Sequence, residues 1–280
     1  MSEKTLQHTI GLILSNVTND FSGYLVEKMG EEFAAHGCRL IITTTNHSIS
    51  FEREMLSVFG QLTDGILILS DAVSYDELAD AIPDVPVIFL NRKPEQCPHT
   101  CILENNHAAV FQAILSAVAE GNERIGLACS DKNFSTTKAI LDAYRSAMES
   151  TSVGFHEDWI YYTEHMHGNP ETIVEEFAKL GCTTILAGTQ TLTRKLWDYL
   201  LVYNHSAKDP IGLIGFANKD SHKQSNLSFD AITQPMHELV ELSVQQMLYL
   251  IDNPEKPARE YLLKGTLRKH SLDALNIDNK

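Results

Sequence analysis

The stretch "TIGLILSNVTNDFSGYLVEKMGEEF", residues 9–33, runs from six strand-like residues directly into a polar turn and then into a helix. Leu25, Met29 and Phe33 recur at the i, i+4, i+8 spacing that places side chains on one helical face. A nucleotide-binding unit of this kind has glycines at the turn, so that the backbone can approach a pyrophosphate. The turn at 15–21 has polar side chains and a phenylalanine instead, which indicates another kind of ligand.

The same alternation of apolar runs and helical periodicity continues along the chain. Runs such as "GILIL" (65–69), "VPVIFL" (85–90) and "TTILAG" (183–188) lack the polar alternation of a half-exposed strand. They predict strands that are buried on both faces, as in parallel sheets. Two such series flank an irregular, proline-containing stretch at 94–103, so the sequence predicts an α/β protein with two doubly wound parallel-sheet lobes.

Three further elements follow the second series: a strand at 231–233, a helix at 235–252 and a strand at 259–265. We interpret them as elements that return to complete each sheet, so that several crossovers join the lobes and form a hinge. The expected N-terminal lobe comprises 9–104 plus 235–252, and the expected C-terminal lobe comprises 105–232 plus 258–272.

The 280-residue chain is acidic, with a formal charge of −15. A nucleic-acid binder needs a basic face to replace counterions on phosphates, so we expect any DNA contact to come from another segment. The few residues before the first strand leave no room for a signal peptide, and no apolar run approaches the roughly 18 residues of a membrane span. Five sparse cysteines suit reduced thiols. We therefore expect a cytoplasmic protein without a membrane partner.

Six segments, in order, resemble the ligand-sensing core of LacI-type (lactose-repressor family) transcriptional regulators. The first, at 8–42, resembles the family's opening strand, its "N-P-F" turn and its first helix. No single motif is decisive, but the ordered set is specific and covers residue 8 to about 272. The other segments are "TDGILIL" (63–69), "EGNERIGLA" (120–128), "LDAYRSAM" (141–148), "DPIGLIGFANKD" (209–220) and "LSFDAITQPMHELVELSVQQMLYLI" (227–251).

The resemblance implies the type I periplasmic-binding-protein fold and a function as the effector-binding, dimerising core of a bacterial repressor. In that family a helix-turn-helix head precedes the core and binds operator DNA. We expect that the head is missing from this sequence either because the sequence is a trimmed part of a longer repressor, which we favour, or because the protein has lost it, and we expect residues 1–8 to be a remnant of its linker. A ligand in the cleft between the lobes would favour one lobe arrangement and thereby control the heads of a homodimer, with no chemistry performed.

Two rival functions remain open. A solute-binding protein of a sugar transport system would have the same fold. An intracellular α/β enzyme would need a nucleophile or an acid–base pair at the strand ends, where only the isolated Asp20 and Glu164 are found.

In open α/β sheets, ligands bind outside the carboxyl ends of the strands. Small polar groups with an aromatic wall at these positions suit a neutral or weakly charged ligand, such as a sugar or a nucleoside. The competing interpretation is that each side chain only forms a turn or a helix N-cap. The candidates from this rule are Ser15, Asn16, Asp20, Phe21, Asn46, Asn91, Arg92, Thr189, Gln190 and Asn218.

The resemblance adds two candidates and several departures. Gln234 matches the family's glutamine before a proline. The sugar-binding members have an arginine where this chain has Ile140, and Lys138 is the nearest basic residue. The family's Asp pair is Ala217-Asn218 here, and its Asn-Asp is Thr189-Gln190. Because neutral groups replace charged ones, the ligand class stays open.

Two weaker features point to metals. His165-x-His167 places two imidazoles on one strand face, but no third ligand lies at a matching spacing. Cys97 and Cys101 have the wrong spacing for a zinc knuckle, and we interpret them as ordinary thiols. We expect no metal and no cofactor.

Overall fold

The computed structural model describes residues 7–163, 168–218 and 229–270. The chain divides into two compact units. The first unit comprises Met1–Glu104, Asn133–Thr136 and Pro235–Leu263, and the second comprises Asn105–Lys132, Thr137–Gln234 and Lys264–Lys280. Each unit contains one six-stranded sheet.

The first sheet has the strand order β11-β5-β4-β3-β1-β2, and its pairs from β2 to β5 are parallel. Its strands are β1 (Thr9–Leu14), β2 (Arg39–Thr44), β3 (Gly65–Ile68), β4 (Val87–Leu90), β5 (Thr100–Asn105) and β11 (Glu260–Lys264). Its helices are α1 (Asp20–Ala35), α2 (Ile49–Leu62), α7 (Met236–Asp252) and a 3₁₀ turn at Tyr75–Glu77.

The second sheet has the order β12-β10-β9-β8-β6-β7. All of its pairs are parallel except β10 with β12, which is antiparallel. Its strands are β6 (Ile125–Cys129), β7 (Ile160–Tyr162), β8 (Thr184–Ala187), β9 (Gly212–Asn218), β10 (Asp230–Gln234) and β12 (Thr266–Arg268). Its helices are α3 (His107–Ala119), α4 (Ser135–Glu149), α5 (Pro170–Lys179), α6 (Gln190–Ser206) and a 3₁₀ turn at Glu157–Trp159.

Local sequence signals explain where several helices begin. The Asn19 side chain accepts a hydrogen bond from the Ser22 N–H at the start of α1. Asn169 caps α5, whose first residue is Pro170. Ser74 and Glu77 form a capping box at the 3₁₀ turn. The apolar runs also behave as predicted, since every residue of β3, β4 and β8 is buried.

Two expectations about strands differ from the structure. Residues 94–103 were expected to be irregular, but Thr100 begins β5 and pairs with Ile88 of β4. The run 259–265 was expected to be one strand of the C-terminal lobe, within 258–272. Its strand, β11 (Glu260–Lys264), instead joins the first sheet, and a separate strand beyond Gly265, β12 (Thr266–Arg268), joins the second sheet. Leu263 packs on the core of the first lobe and Leu267 on that of the second, so packing decides where each strand pairs.

Glycines in the central strands allow helices to pack closely on the sheets. A Cβ at Gly126 of β6 would lie 2.6 Å from Cδ1 of Phe177 on α5, and Phe177 is almost fully buried.

No helix in the described part of the chain is both long and apolar enough to cross a membrane.

We expect Gly126→Ala to lower the free energy of unfolding by about 1–3 kcal/mol, because the enclosed Phe177 ring must move. Gly30→Ala, in α1, is the matched control, because nothing lies within 4 Å of its added Cβ. The control should be neutral or stabilising by up to about 1 kcal/mol through helix propensity. Urea unfolding measures both variants, and equal effects would contradict the packing argument.

Candidate functional site

The register of the first sheet brings three polar residues to the same level beyond the strand ends. Ile13 of β1 pairs with Ile68 of β3, and Ile68 pairs with Phe89 of β4. Three positions further along each chain segment come Asn16 after Ile13, Asp71 after Ile68 and Arg92 after Phe89. Because parallel strands end at one edge of the sheet, these side chains form a row there.

A continuous chain of hydrogen bonds connects this row. Asn16 Nδ2 lies 3.1 Å from His47 Nε2, and His47 Nδ1 lies 2.9 Å from Asp71 Oδ2. The other Asp71 oxygen accepts a hydrogen bond from the Arg92 guanidinium. The Asp71 side chain is 6% exposed and that of Arg92 is 13% exposed, so this ion pair is shielded from water.

Arg92 has a second contact, since its guanidinium carbon lies 4.3 Å from the ring centroid of Phe134, which belongs to the first unit. A cation over an aromatic face is attracted by the ring quadrupole. With Asp71 on one side and Phe134 on another, Arg92 is held in place and its charge is compensated. The first row therefore presents positioned polar groups with little uncompensated charge.

A second buried acid lies behind Asp71. Glu52 of α2 is 1% exposed, and its carboxylate accepts hydrogen bonds from the Ser70 hydroxyl and, at 3.1 Å, from the Asp71 N–H. Burial, with a smaller contribution from the Asp71 charge, raises the pKa of Glu52 to about 7, although the hydrogen bonds from the Ser70 hydroxyl and the Asp71 N–H and the charge of Arg92 oppose this rise.

The stability of the protein is expected to depend on Glu52 between about pH 4.5 and 7. Because the folded-state pKa is the higher one, the folded protein binds the proton more tightly, and stability falls as the pH rises through this window. The slope is at most about 1.4 kcal/mol per pH unit. Glu52→Gln should remove it, so the variant gains stability relative to the wild type towards pH 7.

Urea unfolding at several pH values between 5 and 8 measures this difference. Glu54→Gln is the control, because Glu54 is on the same helix and exposed, and it should follow the wild type. A stability difference between Glu52→Gln and the wild type that stays constant with pH would contradict the buried-acid assignment.

We expect Asp71→Asn to cost about 3 kcal/mol of stability, because it leaves the shielded Arg92 without its counter-charge. Asp80→Asn is the control, since Asp80 pairs with Arg53 at the surface and is 70% exposed. The control should leave the stability almost unchanged, because solvent screens exposed ion pairs. Similar losses in the two variants by urea unfolding would show that the Asp71 pair is not a buried one.

The structure places the other first-lobe candidates in varied settings. Ser15 is buried, and its carbonyl accepts a hydrogen bond from the N–H of Asn46, which is exposed with φ of 50°. Asn91 has φ of 59° and its N–H donates to Ile102 O. Asp20 begins α1 and is exposed. Phe21 is 9% exposed and lies within the core of the first lobe, so most of its ring is covered by the protein itself.

The second sheet has a corresponding row of polar residues beyond its strand ends, and several of its polar atoms have no partner in the described structure. Cys129 of β6 pairs with Tyr162 of β7, and the Thr163 N–H donates to Cys129 O at 2.8 Å, so Ser130 and Thr163 lie side by side. Gln190 lies at the same edge, three residues beyond Ala187 of β8. The hydroxyls of Ser130 and Thr163 and both amide atoms of Gln190 are buried and have no hydrogen-bond partner in the described structure.

Buried polar atoms without a partner are costly, at about 1–3 kcal/mol each. Native proteins pair nearly all of them, with protein, water or a ligand. These three side chains follow the adjacent strands β7, β6 and β8 at the edge where α/β proteins bind ligands. Their grouping therefore makes this edge the candidate position for a hydrogen-bonding partner.

The remaining second-lobe candidates extend this edge. Asn218 and Gln234 pair in register at the ends of β9 and β10, and Asn218 is 6% exposed. Thr189 is the N-cap of α6, with its hydroxyl accepting from the Leu192 N–H at 3.1 Å, so the turn-and-cap interpretation accounts for its hydroxyl. Lys138 lies on α4 and is exposed.

Four residues of the two rows were missed from the sequence: His47, Asp71, Ser130 and Thr163. The strand-end rule could have found Ser130, Thr163 and Asp71, because each directly follows a strand or is a few residues beyond one. His47 lies three residues beyond Thr44 of β2, so the same rule could also have found it, but it has φ of 63° and bonds to Asp71 across 24 positions of sequence. That pairing has no local sequence signal.

Within residues 7–163, 168–218 and 229–270, no group of three or more His, Cys, Asp or Glu side chains could hold a metal ion. The His165-x-His167 pair and Glu164 lie outside the described residues.

Residues 7–248 match the family model described as "Periplasmic binding proteins and sugar binding domain of LacI family". The chain belongs to this family. It is 20% identical over 244 residues to the transcriptional regulator GalS of Salmonella typhimurium, covering 86% of this chain and 72% of GalS. It is 21% identical over 276 residues to GalR of Escherichia coli, covering 96% of this chain and 80% of GalR.

A solved structure of the Cra transcriptional dual regulator from Pseudomonas putida, in complex with fructose 1-phosphate, has the same fold. It superposes with a TM-score of 0.78 at 17% identity, covering 94% of this chain and 98% of that one. The resemblance to LacI-type regulators and the two parallel-sheet α/β lobes are therefore confirmed. Because these relatives are regulators, the family match supports a LacI-type ligand-binding core over a transport protein, and it is consistent with a non-enzymatic function.

Proposed function

We propose that this LacI-family core binds a neutral, hydroxyl-rich solute at the carboxyl edge of its second sheet. The supporting observation is the group of buried, unpartnered polar atoms on Ser130, Thr163 and Gln190. A solute with hydroxyl groups that donate and accept would pair with all of them at once. Asn218 and Gln234 lie on the same edge and extend the set of polar groups to which such a solute could bond.

The charges in the two rows favour a neutral solute. In the first row Arg92 is paired with Asp71, and the neighbouring Lys93 forms an ion pair with Glu260. The unpartnered groups of the second row are hydroxyls and an amide, which carry no charge. A sugar or a nucleoside matches this chemistry better than an anion does, because an anion would need a cation that is not already compensated.

The same proposal extends to regulation. The solute binds one conformational state of a homodimer in the cytoplasm more tightly than another and shifts their populations. A helix-turn-helix head on the N-terminal side reads operator DNA, which an acidic core with a charge of −15 leaves to another module. Family membership and the regulator relatives GalS and GalR support this assignment.

The first test is a thermal-shift screen of the whole chain against neutral sugars, nucleosides, sugar phosphates and amino acids. A ligand that binds the folded state raises the melting temperature. We expect a hit among neutral sugars or nucleosides. Hits confined to sugar phosphates or amino acids, or silence in folded protein, would overturn the neutral-solute proposal.

Thr163→Val then distinguishes a ligand-binding group from a structural one. Removing an unpartnered buried hydroxyl should leave the melting temperature of the free protein equal or higher, because its desolvation cost of about 1–3 kcal/mol disappears. The ligand-induced shift should fall. The matched control is Thr63→Val in the first lobe, because the Thr63 hydroxyl donates to Phe59 O at 2.8 Å. That variant should be less stable but keep the full ligand-induced shift.

A further inference from the structure

Two cysteines lie close together where the loop after β4 leads into β5, with Cys97 in the loop and Cys101 in β5. The sulfur atoms of Cys97 and Cys101 are 3.9 Å apart, and the Cys101 thiol also lies 3.3 Å from His99 O. Cys97 is half-buried between the exposed residues Gln96 and Pro98, whereas Cys101 is 2% exposed within β5. One sulfur can therefore meet a solvent-borne reagent, and the other lies directly behind it.

The surroundings of the two thiols also favour Cys97 as the more reactive one, because they shift the two pKa values in opposite directions. The hydrogen bond from Cys101 lowers the pKa of Cys97, and the His99 N–H and the Lys93 ammonium lower it further. That same hydrogen bond, together with burial, raises the pKa of Cys101. The remaining cysteines, Cys38, Cys129 and Cys182, are buried, and burial raises the pKa of each.

We propose that Cys97 and Cys101 form a reversible disulfide when the protein meets a hydroperoxide, with Cys97 as the attacking thiol and Cys101 as the resolving thiol. Bonded sulfur atoms lie about 2.05 Å apart, so the pair must close by roughly 2 Å from its present 3.9 Å separation. Rotation of the Cys97 side chain in its partly exposed loop can supply that movement.

The reaction takes place in two steps. The Cys97 thiolate attacks one peroxide oxygen, the O–O bond breaks, and the departing alkoxide takes a proton to leave as an alcohol. The sulfenic acid now on Cys97 is attacked by the Cys101 sulfur, which gives up its proton as the S–O bond breaks and water leaves. The two sulfur atoms together lose two electrons and the hydroperoxide gains them. A dithiol reductant reverses the change by thiol–disulfide exchange.

The disulfide would constrain the loop after β4, which also carries Arg92 of the first row. Arg92 and Lys93 lie in the same segment, and the Lys93 N–H donates to Ser135 Oγ at 3.1 Å. His99, between the two cysteines, is 2.9 Å from the Tyr75 hydroxyl through its Nε2. Linking Cys97 to β5 therefore restricts the segment that holds Arg92 against Asp71. In reducing compartments, disulfides of this kind are usually transient and redox-sensing.

The test treats the fully reduced, folded chain with hydrogen peroxide, then unfolds it in urea, blocks the remaining thiols with N-ethylmaleimide, and maps the peptides by mass spectrometry. The five free cysteines should fall to three that can be blocked, with one peptide link between Cys97 and Cys101 that dithiothreitol removes. Unchanged blocking of all five thiols, or a link that involves other cysteines, would overturn the proposal.

Variants separate the two roles. Cys101→Ser should accumulate a sulfenic acid on Cys97 that dimedone labels, whereas Cys97→Ser should show neither label nor link. Cys182→Ala is the matched control and should form the same disulfide at the wild-type rate. In the unmodified chain, Cys97 should be alkylated at least about tenfold faster than each of the three buried thiols. Equal alkylation rates in folded protein would refute the assignment of Cys97 as the attacking thiol.

Discussion

Parallel hydrogen bonding between neighbouring strands decides where almost every functional group of this chain lies. In the first sheet, the pairing of Ile13 with Ile68 and of Ile68 with Phe89 fixes how far each strand extends relative to its neighbours. The residues that follow the strands must then lie in a row at one edge, whatever their separation in sequence. The crossover helices cover the faces of the sheet, so only the edges remain for polar side chains that bind a partner.

The two rows use this common geometry in opposite ways. The first row is already satisfied, because Asp71 bonds to both His47 and Arg92 and a second buried acid, Glu52, lies behind it. Such a network holds its members in one arrangement, and each member depends on the others for its charge balance. In the second row, the hydroxyls of Ser130 and Thr163 have no hydrogen-bond partner among the described residues, and this difference is the basis of the proposed solute site.

The first lobe also brings a buried ion pair, a buried acid and two neighbouring thiols close to one loop. The segment after β4 carries Arg92, and a few positions later it carries Cys97, whose sulfur contacts Cys101 of β5. Protonation of Glu52, the Asp71–Arg92 ion pair and the state of the two thiols therefore act on neighbouring parts of one lobe. The second lobe contributes mainly neutral hydrogen-bonding groups to its edge.

The sequence by itself determined the elements of the fold and much of its class. Periodicity and apolar runs located the helices and the buried strands, and Asn19, Asn169 and Ser74 marked helix starts, because these signals act within a few residues. Only the tertiary structure decided that the strand within 259–265 joins the first sheet and that the next strand, β12, joins the second. It also decided that Phe21 packs in the core, that His47 reaches Asp71 and that the hydroxyls of Ser130 and Thr163 have no partner among the described residues, because those outcomes depend on contacts between residues far apart in the chain.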